Sequence, residues 1–182
     1  METIENKTRE YQLHPLNPRS IPTEIIGKIA AISISKKKGI PKTNVPSAMV
    51  IEDFGIEGDV HAGNWHRQVS LLPLESINTM REAGLPNLRP GAFAENLTIE
   101  GIELNKLPIG TKMLVNEHVE MEITQIGKEC HSKCAIFYKV GDCVMPREGI
   151  FAKVLKGGNV STGDPIEVIH SGILDGENIG VK

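Results

Sequence analysis

The chain has 182 residues, 40% of them apolar, enough for one domain of ordinary size with a real core. A formal charge of −3 excludes a global basic field of the kind that holds a nucleic-acid backbone or an acidic membrane surface, so any anion site must be local. The polar opening METIENKTRE has no signal-peptide core, and no segment approaches the roughly 18 unbroken apolar residues of a membrane span, which together point to the cytoplasm. In that reducing compartment three cysteines are better suited to reaction or metal binding than to crosslinking.

Residues 1–24 are polar and proline-rich and read as an extended lead-in to a domain spanning 25–170. The run IIGKIAAISIS (25–35) is β-branched and roughly alternating, as a strand requires, and KKKGIPK then supplies a basic loop with a glycine and a proline. Further short strands are predicted at 48–51, 68–72, 96–99, 112–115, 120–126, 149–155 and 165–169, separated mostly by Gly, Pro and Asn signals. One segment breaks this pattern. Residues 73–83 place Leu74, Ile77 and Met80 on one helical face, with Pro73 at the start and Gly84 past the end, so a short helix is expected there. The Gly-rich stretch 171–182 reads as a loosely attached tail. The whole predicts an all-β barrel or sandwich with one or two short helices.

Reactive side chains are densest in GKECHSKCAIFYKVG (127–141), followed by Cys143 and Arg147. A thiolate is the nucleophile and soft-metal ligand, and Lys128, His131, Lys133 and Arg147 would lower a cysteine pKa if the fold brought them near. Cys143, between Asp142 and Val144, fits a small buried hydrophobe equally well. Cys130, His131, Cys134 and Cys143 could together offer zinc a Cys₃His set, but a single C-x₃-C with one further cysteine lacks the usual two paired knuckles. A Cys130–Cys134 disulfide is another alternative if the loop turns back on itself.

A second cluster, FGIEGDVHAGNWHRQVSLL (54–72), sets Asp59, His61, His66 and Arg67 on a Gly-rich approach to a strand. Asp-x-His can orient an imidazole through a carboxylate, and arginine forms a planar fork for phosphate or carboxylate; a solvated polar turn is the plainer alternative. Lys36, Lys38 and Lys42 in the first loop could cradle an anion or simply be solvated. In PGAFAENLTIEG (90–101), Glu95 and Asn96 could bond either backbone or ligand.

Taken in order, KKGIPK, GIEGDVHAGNWHRQVSLL, PGAFAENLTIEG, LPIGTKMLV, a cysteine-bearing loop and GGNVSTGDPIEV resemble the MOSC domain, the C-terminal domain of molybdenum-cofactor sulfurases, over residues 26–168. The version here is similar to the short stand-alone bacterial type. That resemblance implies a β-barrel fold that binds molybdenum or the pyranopterin (molybdopterin) cofactor. It implies a cysteine that carries sulfur or ligates the metal, Cys134 by position, with Cys130 beside it. It further implies cofactor contacts from Lys36, Lys38, Lys42, Asp59, His61, Arg67, Glu95, Asn96 and Arg147. Many family members carry Pro-Arg-x-Pro-Cys in that loop, where this chain reads Glu129-Cys130-His131-Ser132-Lys133-Cys134, which leaves open which cysteine reacts. The implied function is sulfur transfer in cofactor maturation through a cysteine persulfide. Its partners would be the cofactor's biosynthetic and recipient enzymes and a cysteine desulfurase, with neither nucleic acid nor membrane. The alternatives are a molybdenum-dependent reductase of N-hydroxylated compounds and a cofactor-binding module without turnover.

Overall fold

A computed structural model describes residues 26–128 and 135–170. The sequence's lead-in and tail, and the segment carrying Cys130 and Cys134, lie outside the described residues. Eleven strands are described: β1 (Ile26–Ile34), β2 (Thr43–Val45), β3 (Ser47–Ile51), β4 (Gly55–Ile56), β5 (Val69–Pro73), β6 (Leu97–Glu100), β7 (Lys112–Val115), β8 (Val119–Ile126), β9 (Ile150–Lys156), β10 (Gly158–Ser161) and β11 (Pro165–His170). The helices among the described residues are short: α1 (Leu74–Glu82), α2 (Ala135–Val140) and α3 (Met145–Glu148), with one 3₁₀ turn at Leu104–Lys106. None is long and apolar enough to cross a membrane.

Seven strands close on themselves in the order β11-β7-β8-β9-β5-β6-β1, and β1 pairs back onto β11 through Ile26↔Glu167 and Lys28↔Pro165. Closure gives these strands partners on both sides and removes the free edges that would invite aggregation. The pairings are antiparallel except β5–β6, which run parallel and are joined through α1, as a parallel pair needs a crossover. A smaller sheet, β10-β3-β4, lies beside the barrel.

Alternation fills the barrel. Val119, Met121 and Ile123 of β8 and Met113 and Val115 of β7 are fully buried, while Glu120, Glu122, Lys112 and Leu114 between them are only partly so. Each such aliphatic contributes about 1.5–3 kcal/mol on burial. β5 departs from alternation because both of its faces are covered. Val69 and Leu71 join the interior cluster, whereas Leu72 joins a second cluster with Ile77 and Met80 of α1, Phe93, Cys143, Val144, Met145 and Phe151. Helix α2 packs Ile136, Phe137 and Val140 onto this second cluster. Cys143 is therefore a buried member of an apolar layer. The register of β1 against β6 shifts between Ile29 and Ala31, so the residues Ala31, Ile32 and Ser33 are buried in succession and β1 ends beside the loop that carries Asp59.

Candidate functional site

The site is built where β1, the 59–67 loop, the 90–96 loop and the ends of β8 and β9 meet. Asp59 organises the first of these. Its carboxylate accepts from the Ser35 amide at 2.9 Å and the His61 amide at 3.0 Å, and both of its oxygens lie 2.7 Å from Lys42 Nζ. The exposures of the Lys42 and Asp59 side chains are 0% and 1%, so this ion pair is cut off from water. Burial alone would push the Asp59 carboxyl up, but Lys42 and the two amides hold it below the usual carboxylate range. The pair fastens the loop after β4 to the end of β1, reinforced by the Val60 amide donating to Ser35 O at 2.8 Å.

Residues 61–67 present three of the pocket's side chains, His61, Trp65 and Arg67. Trp65 Nε1 donates to His61 O at 2.9 Å, which pins the indole over the loop. Arg67 Cζ then lies 4.8 Å from the Trp65 ring centroid and 5.5 Å from that of Phe151, a guanidinium flanked by two aromatic rings. Among the described residues Arg67 has neither a hydrogen bond nor an ion pair, and its Nε is buried without a partner. Lys42, Arg147 and Lys28, by contrast, each face a carboxylate at 2.7–2.9 Å. His61 Nδ1 is also buried without a hydrogen bond; Asp59 Oδ1 is 3.4 Å away. The His61 ring is held below the ordinary imidazole range chiefly by burial and next by the Lys42 charge, with Asp59 opposing.

These groups line a cavity of about 240 Å³. Its aromatic lining is Trp65, Phe93 and Phe151; its polar lining is His61, Arg67, Ser70, Asn96 and Lys128; Ala94 and Met145 complete it. Behind it, Glu95 and Asn96 act as internal braces. Glu95 is fully buried and accepts from the Gly91 amide at 2.5 Å, the Phe93 amide at 3.0 Å and Thr98 Oγ1 at 3.3 Å, and burial raises its pKa against those bonds. Gly91 has φ +90°, and a Cβ there would come within 2.6 Å of Lys42 O, so this loop seats only a glycine against the Lys42 backbone. Asn96 Oδ1 accepts from Ser70 Oγ at 2.9 Å and its Nδ2 donates to Ser33 O at 3.1 Å, which ties β1, β5 and β6 together.

Of the residues singled out from the sequence, Asp59, His61, Arg67, Asn96 and, through Asp59, Lys42 converge here. Glu95 holds the loop without lining the cavity. Lys36 and Lys38 are exposed in the first loop, and Arg147 is exposed and bound bidentately to Asp142 at 2.8 and 2.9 Å. That pairing lowers Asp142 to about 2. Cys130 and Cys134 lie outside the described residues. The aromatic walls had not been anticipated from the sequence. Trp65 alone carried a signal, as a large apolar side chain two residues before an arginine; Phe93 and Phe151 had none, because packing across the sheet brings them in. No group of three potential metal ligands occurs among the described residues.

A family model described as "MOSC domain" matches residues 57–167, more than half of the chain. The chain belongs to the MOSC domain family. The family is associated with the molybdenum cofactor. The protein YflK of Bacillus subtilis is 28% identical over 160 residues, 81% of this chain and 72% of YflK. Among solved structures, the YuaD protein of Bacillus subtilis superposes with a TM-score of 0.69 at 21% identity, over 82% of this chain and 98% of that one. YiiM from Geobacillus stearothermophilus gives 0.60 at 20% identity, over 81% and 77%. These likenesses show a fold shared with those two proteins.

An anionic, ring-bearing cofactor fits the residues present. Arg67 and Lys128 have no carboxylate partner among the described residues, and three aromatic side chains line the same cavity.

Proposed function

We propose that this MOSC protein binds the molybdenum cofactor in the Arg67 pocket and carries sulfur during its maturation as a persulfide on Cys134. The observation that supports the binding half is the unpaired Arg67 guanidinium facing a cavity with Lys128 and His61. Arg67 and Lys128 would hold the cofactor's anionic groups, and Trp65, Phe93 and Phe151 its ring system. When bound, the cofactor supplies a molybdenum centre that a soft thiolate or sulfide can ligate. The sulfur half is supported by connectivity. Lys128 lines the pocket, and two residues of chain bring Cys130 within about 7 Å of it, Cα to Cα. Cys134 immediately precedes α2, which packs on the apolar cluster to which Phe93 and Phe151 of the pocket lining belong.

The proposed transfer is a thiol exchange. The Cys134 thiolate attacks the outer sulfur of a desulfurase persulfide; that S–S bond breaks, the desulfurase leaves as a thiolate, and Cys134 gains the sulfur with no net oxidation. For release, the Cys130 thiol attacks Cys134 Sγ, forming a Cys130–Cys134 disulfide and freeing the outer sulfur as hydrogen sulfide, so the two thiol sulfurs are oxidised as the outer sulfur is reduced. Protein purified anaerobically from molybdenum-replete cells is expected to carry a mass increment of one sulfur that is absent from Cys134→Ser and retained in Cys130→Ser. An increment that survives Cys134→Ser refutes the carrier, and stoichiometric molybdenum lost in that variant assigns the cysteine to the metal instead.

A further inference from the structure

Ser70 and Asn96 bond each other and the backbone, which leaves the pocket two kinds of polar group without protein partners, and the difference between them restricts the ligand. Arg67 and Lys128 are cations that donate hydrogen bonds and accept none. Burial and then the Lys42 charge hold His61 below the ordinary imidazole range, which favours its neutral form. A neutral imidazole donates from one nitrogen and accepts at the other. Its Nδ1 is closed off from solvent 3.4 Å from Asp59 Oδ1, and a lone pair there would face a carboxylate. The geometry therefore assigns the proton to Nδ1 and leaves the lone pair on Nε2, which has no hydrogen bond among the described residues and is not closed off as Nδ1 is, in a side chain 29% exposed. Asp59 fixes this tautomer without making the ring a strong base, since Lys42 neutralises the carboxylate through two 2.7 Å contacts. Asp59 and Lys42 are thus positioning residues for His61.

We propose that His61 is the pocket's selectivity residue: its Nε2 acceptor, sharing the cavity with Arg67 and Lys128, favours an anion that still carries a hydrogen on oxygen or nitrogen over one that is fully deprotonated. Hydrogen phosphate belongs to the first class and sulfate to the second. Both are dianions at pH 8, so the two cations treat them alike and only the acceptor distinguishes them. An acceptor with no hydrogen opposite it instead sets its lone pair against an anionic oxygen, which costs affinity. This inference rests on the anion-binding reading of the same pocket.

The chain's single tryptophan, Trp65, lines the cavity, so its fluorescence reports occupancy without a label. Titration at pH 8 with inorganic phosphate and with sulfate is expected to show phosphate binding tighter by about tenfold, the equivalent of one hydrogen bond. His61→Leu is expected to bring the ratio to about one, weakening phosphate and relieving the repulsion of sulfate, and His61→Gln, which can present an acceptor oxygen, to restore part of it. Equal affinities in the parent protein, or an unchanged ratio in His61→Leu, overturn the proposal. If neither anion perturbs Trp65, the anion-binding reading falls and this inference with it, whereas the persulfide on Cys134 is judged separately by mass. Nitrogen-15 spectra of the parent protein, with the His61 signals assigned by their loss in His61→Gln, supply a second test that needs no ligand. An Nδ1–H tautomer with a bare Nε2 is expected, and a proton on Nε2 overturns the proposal.

Discussion

The buried Lys42–Asp59 pair is the element whose removal should cost most for its size. Lys42→Met keeps the length and most of the volume of the side chain and deletes only the charge, leaving the Asp59 carboxylate in a site 1% exposed with the Ser35 and His61 amides as its remaining donors. Removing one partner of a buried pair costs about 3–5 kcal/mol. Because two amides still bond Asp59, the lower end applies, about 3 kcal/mol, or a fall in Tm of about 6–12 °C for a chain of this length. Lys28→Met is the control. Its pair with Glu100 is 2.9 Å long but 57% and 42% exposed, and solvent screening reduces its loss to about 0.5 kcal/mol or less. Urea denaturation read by circular dichroism, with the slope checked for constancy, measures both. The sign against pH follows from Asp59, whose folded pKa is lowered: its contribution is complete above the usual carboxylate value and is lost as pH falls through the folded one. The difference between Lys42→Met and its parent should therefore narrow in acid. A Lys42→Met variant no less stable than Lys28→Met refutes the view that this pair anchors the loop.

Gly91→Ala places a Cβ within 2.6 Å of Lys42 O at φ +90°, so it should destabilise the chain by at least about 1–3 kcal/mol, measured in the same urea assay. Glu95→Gln replaces one acceptor of the Gly91 and Phe93 amides with an NH₂ donor and should cost about 1–3 kcal/mol by the same measurement. Arg67→Lys keeps the charge but loses the planar fork stacked on Trp65, and should weaken the phosphate-induced change in Trp65 fluorescence about tenfold or more. His61, with its folded pKa lowered, takes up its proton more readily in the unfolded chain. Stability should therefore fall as pH drops below about 6.5 and level off below the folded pKa, and His61→Gln should show a smaller loss between pH 7 and 5 in thermal melts.

The eight strands read from the sequence are present within one or two residues of the expected positions, as is the helix after Pro73. Each carries either β-branched alternation or a periodic apolar face, and burial rewards the same pattern. The three strands missed lack that signal. β4 is two residues long, β2 reads Thr-Asn-Val, and β10 opens on Gly158 and Asn159, poor strand formers held in line by pairing with Met49 and Val50 of β3. Helix α2 was missed for the opposite reason, since AIFYKV is rich in β-branched and aromatic residues and is helical because Ile136, Phe137 and Val140 seal the second cluster.

The site was legible in its residue types more than in their tasks. Asp59, His61 and Arg67 fall within nine residues of one another and were readable as a group. Their division of labour was not, because it depends on Lys42, which crosses from another loop to neutralise Asp59, and on Phe151, which lies 84 positions beyond Arg67 and meets it only through the β5–β9 pairing. A carboxylate two residues from a histidine suggests a base made stronger. With Lys42 bonded to that carboxylate and water excluded from both, the same pair makes a weaker one, a neutral acceptor among cations. The lysine that looked like a ligand contact thus acts on the pocket through Asp59 and His61, its ammonium held by the buried carboxylate.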